Sequence, residues 1–180
     1  SLLSPHVRIL YQYGLLIPLT IVALRGARDM VSIVNPSTIL ATRDDMAAME
    51  WIRHNVSPDA RFLINSRHWQ RDIYMGTDGG WWIPVLTGRQ TTLPPAIYRR
   101  GTPEYVAAIN DLAQWASEVL SLKEANALER LRDAGVTHIY IGAKGGHITP
   151  YMLDGCPQFT QVYTNGAVRI YRISGSAYDS

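Results

Sequence analysis

Two adjacent tryptophans follow an acid and a glycine pair in Gly76-Thr77-Asp78-Gly79-Gly80-Trp81-Trp82-Ile83. Trp69 precedes this stretch and Arg89 follows it. Indole faces bind sugar rings or hydrocarbon, and a carboxylate and a guanidinium supply directed hydrogen bonds. Trp69, Asp78, Trp81, Trp82 and Arg89 are therefore the candidate substrate-binding residues. The same residues also fit a packing role. Glycines let a backbone bend tightly against buried indoles, and Asp78 with Arg89 would then be a structural ion pair.

Other chemistry finds little support. The histidines are His6, His54, His68, His138 and His147, and no two have the spacing of a metal-binding pair on a helix. His138 alternates within an apolar run and reads as a surface or satisfied residue. No metal and no cofactor are expected. Gly142-Ala143-Lys144-Gly145-Gly146 is either a flexible loop or an anion site, but it lacks the phosphate-loop and dinucleotide patterns. No Gly-x-Ser-x-Gly elbow is present. Cys156 is the single cysteine, so no intrachain disulfide can form, and it reads as a small core residue. Asn55-Val56-Ser57 fits a glycosylation acceptor, weakened by Pro58. No catalytic residue is assigned.

Composition sets the class. The 180 residues are 47% hydrophobic and 18% charged, which is globular rather than disordered. Net charge is +2, and no basic run is interleaved with aromatics, so nucleic acid is not an expected partner. Ser1 rather than Met opens the chain, which reads as a piece of a longer protein.

The elements that must position the tryptophan stretch follow from local signals. Ile9–Leu24 carries no charge and contains Pro18. A full membrane span takes about 20 apolar residues. The run is thus part of a membrane helix, a buried core helix or a helix lying at a membrane interface. If it spans, Arg25 and Arg28 favour a cytoplasmic flank. Thr42-Arg-Asp-Asp45 is a capping box opening a helix to about Asn55, with Met46, Met49, Ile52 and Arg53 on one face. Arg61–Asn65 reads as a buried strand and Thr87–Leu93 as a weaker one. Thr102-Pro103-Glu104 starts a helix to about Leu120. Ser121-Leu-Lys-Glu124 is a second capping box, with its helix ending at Ala134 and Gly135 in the left-handed cap. Val136–Gly142 is a strand. Gln161–Thr164 and Ala167–Tyr171 form a hairpin, with Asn165-Gly166 as a type I′ turn that pairs Tyr163 with Val168.

This order predicts an α/β domain. Its mixed sheet has flanking helices, central parallel strands at 61–65 and 136–142, and the C-terminal β-hairpin at one edge. An apolar helix lies before it. Residues 1–34 would be a transmembrane or juxtamembrane helix, 35–174 the α/β domain and 175–180 a tail.

Two stretches carry a resemblance, Met49-Glu-Trp-Ile-Arg-His-Asn-Val-Ser-Pro-Asp-Ala-Arg-Phe-Leu-Ile-Asn-Ser66 and the segment from Gly76 to Thr92. Their order resembles the extracytoplasmic C-terminal domain of multispanning GT-C glycosyltransferases, the oligosaccharyltransferase catalytic subunits in particular. Asp78, Gly80, Trp82 and Ile83 match that family's tryptophan–aspartate motif, and Arg89 matches a later basic position. Gly76, Thr77 and Gly79 stand where the family has Trp, Trp and Tyr. The closing segment Phe159–Ile173 also looks like the end of such enzymes. The resemblance covers about residues 43 to 173. It implies a domain outside the cell membrane that binds an acceptor, or covers the active site, for transfer of a polyprenyl-linked sugar. The partners it implies are the membrane, through the N-terminal segment, and a glycan, lipid-linked sugar or peptide acceptor. Catalytic carboxylates in that family sit on membrane loops outside this sequence, so the chain itself is expected to be inactive. A soluble α/β binding module with no glycosyltransferase link is the alternative.

Overall fold

The computed structural model of the chain describes residues 5–31 and 39–175. Two compact units divide between Ile39 and Leu40. The first holds one helix, α1 (Pro5–Val31). It continues through Pro18, whose ring nitrogen removes one ladder hydrogen bond. Leu16, Ile17, Leu19, Ile21, Val22 and Leu24 are exposed. At about 100° per residue these positions point to every side of the helix. Among the described residues, no helix is long and apolar enough to cross a membrane.

The second unit is an α/β domain. Its chain runs α2 (Arg43–Asn55), β1 (Arg61–Ile64), β2 (Ser66–Gln70), β3 (Ile73–Gly76), a 3₁₀ turn at Gly79–Trp82 and α3 (Ile83–Thr87). It continues through β4 (Gln90–Thr91), α4 (Pro103–Glu118), α5 (Ala125–Asp133), β5 (His138–Ile141), β6 (Phe159–Asn165) and β7 (Val168–Ile173). Five strands form one mixed sheet in the order β4-β1-β5-β7-β6. β1 pairs in parallel with β4 and β5, and the β6–β7 hairpin continues the sheet antiparallel from β5. The expected fold class is the one observed.

Strand alternation divides the core in two. Phe62, Ile64, Tyr140, Val168 and Ile170 face α2, with its buried Ala48, Met49 and Ile52. Leu63, Ile139, Ile141, Tyr171 and Ile173 face α5, with Leu128 and Leu131. Each large apolar side chain taken out of water contributes about 1.5–3 kcal/mol, so two covered faces supply the main driving force for one central sheet. α2 is held at its start by the reciprocal bonds of the capping box. The Thr42 N–H donates to Asp45 Oδ2 at 2.7 Å and the Asp45 N–H to Thr42 Oγ1 at 3.4 Å. Its buried face centres on Ala48, Met49 and Ile52, while Met46 and Arg53 are exposed. Gly135 closes the α5 end with φ of 66°.

Four local expectations are corrected. Thr87–Leu93 is not one strand: Thr87 ends α3, and only Gln90–Thr91 pairs with β1. Ser121 does not cap α5, which begins at Ala125 with Glu124 as the N-cap residue. The Ser121 hydroxyl instead accepts the Lys123 N–H within a turn. The C-terminal hairpin turns at Gly166-Ala167, so that Asn165 pairs with Val168 and Tyr163 with Ile170. Gly166 has φ of 54° and Asn165 does not enter the left-handed region, which is the II′ pattern rather than I′. Finally, β2 and β3 form a separate antiparallel hairpin that the sequence reading missed. That hairpin is tied to α4: the Ser66 hydroxyl donates to Ala113 O at 2.7 Å, and Asn110 Nδ2 donates to Asp72 O at 2.6 Å. The proposed tail beyond Gly175 lies outside the described residues.

The turn assignment makes a prediction. Asn165→Thr should change stability by less than about 0.5 kcal/mol. Gly166→Val, which forces a branched side chain into positive φ, should cost about 1–2 kcal/mol or more. Urea denaturation of the two variants checks this. Equal costs would restore the Asn165-Gly166 turn.

Candidate functional site

The tryptophan stretch is built by close approach. β3 ends at Gly76, where a Cβ would lie 2.5 Å from Trp81 Cβ. Only a residue without a side chain lets the Trp81 backbone sit there. Trp81 is half-buried against the core, and its indole N–H donates to Pro94 O at 3.1 Å. Asp78 starts the 3₁₀ turn by accepting the Gly80 N–H at 2.9 Å. That turn points Trp82 outward, 45% exposed. Trp69 is 46% exposed and lies on β2 where the register with β3 shifts.

The five candidate residues do not converge. Asp78 is fully buried beyond the C-terminal end of β1. Arg89 lies near the opposite end of that strand and makes no ion pair with Asp78. Its guanidinium donates from Nη1 to Thr87 O at 2.6 Å, and from Nη2 to Arg53 O at 3.0 Å and Val56 O at 2.8 Å. A cation on the last carbonyls of α2 also suits the helix dipole. Trp69 and Trp82 are thus the two candidate tryptophans whose indoles face solvent, and Trp81 packs.

Asp78 belongs instead to a polar cluster that the sequence reading did not assemble. Asp78 Oδ2 accepts the Gly142 N–H at 2.8 Å and the Asn65 amide at 3.4 Å. Asp45 is also fully buried. Its Oδ1 accepts the Tyr140 hydroxyl at 2.8 Å and the Ala143 N–H at 3.1 Å, while Oδ2 accepts the Thr42 N–H and hydroxyl, both at 2.7 Å. Asn65 binds both backbone groups of Ile148, accepting its N–H at 2.7 Å and donating to its carbonyl at 3.1 Å. The loop Gly142–Gly146 therefore spends its first amides on internal carboxyl groups. These carboxyls occupy the place that an anion bound by the Gly142 and Ala143 amides would take, and they tether the start of the loop. Glycines permit the approach: a Cβ on Gly142 would lie 2.8 Å from both Asp45 Oδ1 and Asp78 Cβ, and one on Gly79 would lie 2.5 Å from Asp45 Cγ.

Electrostatics agree with enclosure. Burial, opposed by the bonds from Gly142, Gly80 and Asn65, pushes Asp78 up from the ordinary 3.8 to about 7, with the nearby Asp45 adding to the rise. Burial, then Asp45, raises the Tyr140 hydroxyl as well. His138 is lowered to about 4 by burial and then by Arg172, and its ring stacks on Phe62 at 5.1 Å. It is a satisfied residue rather than a ligand, and no metal-binding group is found among the described residues. Cys156 is free and buried, with its thiol on Gln158 Oε1. The arrangement can hold loops together, and it gives no substrate access to either carboxyl group.

Of this cluster the sequence singles out Asp45, as the last residue of a capping box, Asp78, in the tryptophan stretch, and Gly142, in the glycine-rich loop. Nothing in it joins them to one another or to Asn65 and Tyr140, because those partners are remote in sequence. The chain matches no protein-family model and no curated protein.

The raised Asp78 value carries a pH prediction. A group with its folded pKa above the unfolded one keeps its proton longer in the fold, so its contribution to stability falls as pH rises. The free-energy advantage of wild type over Asp78→Asn should shrink between about pH 4 and 7, at no more than about 1.4 kcal/mol per pH unit. Urea denaturation across that range checks it, and an advantage that grows with pH would contradict it. Independently, Gly142→Ala should cost about 1–3 kcal/mol through overpacking. An unchanged denaturation midpoint would show that the carboxyl groups are not where the bonds place them.

Proposed function

We propose that this chain is a non-catalytic α/β domain of a membrane glycosyltransferase-like protein. It stands on the extracytoplasmic side of the cell membrane. There it binds an acceptor, or covers the site at which a polyprenyl-linked sugar is transferred. The observation that carries this reading is the stretch of α1 from Leu16 to Leu24, where Leu16, Ile17, Leu19, Ile21, Val22 and Leu24 are exposed on every side. A helix that is apolar all round belongs in a core or in lipid. The buried state of Asp45 and Asp78 supports a non-catalytic role, since neither carboxyl group meets solvent. Exposed Trp82 and Trp69 offer indole faces to a sugar ring or a peptide acceptor. The order of motifs resembling GT-C enzymes supports the same reading.

A second reading is a soluble α/β binding module with no glycosyltransferase link. It is favoured by the lack, among the described residues, of any helix long and apolar enough to cross a membrane.

Flotation of the full chain with phosphatidylcholine vesicles separates the two. The membrane reading predicts that wild type floats with the lipid. The triple variant Leu16→Gln, Leu19→Gln, Val22→Gln should stay at the bottom with its melting temperature unchanged. Wild type that never floats would leave the soluble module standing. On the acceptor side, Trp82→Ala should weaken binding of a short-chain polyprenyl-linked sugar about three- to tenfold, read by tryptophan fluorescence.

A further inference from the structure

Beyond Ser66 the chain exposes a run of five residues, Arg67-His68-Trp69-Gln70-Arg71, along β2 and into its turn. Neighbouring residues of a strand point to opposite faces, so both sides of this hairpin strand meet water. Trp69 is 46% exposed there. The hairpin is nonetheless fixed in place. Asn110 on α4 donates from Nδ2 to Asp72 O at 2.6 Å and accepts the Tyr98 hydroxyl at 2.7 Å. The same hydroxyl accepts the Tyr74 N–H at 3.0 Å. Tyr98 is the buried residue of a 3₁₀ turn, Ala96–Arg100, so these bonds set that turn against the hairpin. Its Ile97 is 71% exposed, and Arg99 and Arg100 are exposed as well.

The charge of this surface is unmatched. The ion pairs among the described residues join Glu50 to Arg53 and His54, and Asp111 to Arg130. Arg67, Arg71, Arg99 and Arg100 therefore have no carboxylate partner among them. The acids whose charge reaches Tyr98 and Tyr74 are Asp72 and Glu118, fewer than the arginines.

We propose that the β2–β3 hairpin and the 3₁₀ turn beside it dock on an anionic lipid surface. Four exposed guanidiniums short of acids attract a partner of negative charge. That partner must also take a tryptophan and an isoleucine out of water. The headgroup region of an anionic bilayer does both. It carries phosphates and carboxylates, and indoles settle there with one edge wet and the ring against hydrocarbon. Arginine stems lie along the same boundary while their heads reach the phosphates. An acidic peptide or a nucleic acid backbone pairs with the arginines but leaves Ile97 in water. This inference is independent of the proposed function, which rests on α1.

The test is flotation of the full chain carrying Leu16→Gln, Leu19→Gln and Val22→Gln, which removes α1 as a lipid anchor. Vesicles are phosphatidylcholine alone, or phosphatidylcholine mixed with phosphatidylserine. The chain should float with the mixed vesicles only, and added salt should release it. Arg67→Gln with Arg71→Gln should weaken binding at least about tenfold, and Arg99→Gln with Arg100→Gln should do the same. Trp69→Ala should weaken it about threefold or more. These side chains are exposed, so melting temperatures should not change. Arg132→Gln with Arg172→Gln removes the same charge from exposed positions on α5 and β7, and should leave binding within about twofold. No flotation with phosphatidylserine, or an equal loss in that control pair, overturns the proposal. So does a surface that ignores both vesicles but holds polyglutamate or single-stranded RNA through the same arginines.

Discussion

Two fully buried carboxyl groups, Asp45 and Asp78, hold together segments that the sheet alone does not join. Asp45 ties the start of α2 to the end of β5 through Tyr140 and Ala143. Asp78 ties the turn before α3 to the same strand end through Gly142. Leaving one buried donor unpaired costs about 1–3 kcal/mol, so seven accepted bonds make this cluster costly to open. The glycines around it follow from that geometry. Gly79, Gly142 and Gly146 are positions where a Cβ would enter the space of Asp45, Asp78 or Asn65.

That constraint closes one end of the sheet. Ligands of open α/β sheets usually sit beyond the C-terminal ends of the parallel strands. Here that end is occupied by the protein's own carboxyl groups and amides, and neither carboxyl group meets solvent. The unmatched charge lies outside the five-stranded sheet, on the β2–β3 hairpin and the 3₁₀ turn beside it. The tryptophan stretch divides along similar lines. Gly76 and Trp81 serve packing, Asp78 serves the cluster, and Trp82 is displayed.

Much of the fold was legible because its signals are local. Thr42 with Asp45, Thr102 with Pro103 and the left-handed Gly135 mark element ends within a few residues. The β2–β3 hairpin was hidden because its turn uses Arg71 at φ of 50°, with no glycine or asparagine to announce it. Its first strand, Ser66–Gln70, is also exposed after Ser66 and shows no apolar alternation. The Asn165-Gly166 signal pointed one residue away from the true turn. The shift between Gln161 and Tyr163 lets Phe159 reach the core while Tyr163 stays opposite Ile170. The candidate site was legible only in part. Trp82 and Trp69 are exposed as a binding surface needs, but Asp78 and Arg89 lie apart. Besides Thr42, the partners of Asp45 are Tyr140 and Ala143, 95 and 98 residues away in sequence, beyond the reach of any spacing rule.

Amide hydrogen exchange at Gly142 and Ala143 tests the role of the carboxyl pair most directly. Both amides follow the last residue of β5 and would exchange at loop rates if the carboxyl groups did not hold them. If Asp78 and Asp45 accept them as observed, both should exchange only through global unfolding, with the same protection as Ile139 and Tyr140 in the strand. Exchange of Gly142 and Ala143 orders of magnitude faster than those strand amides would contradict the clamp and reopen that end of the sheet as a binding site.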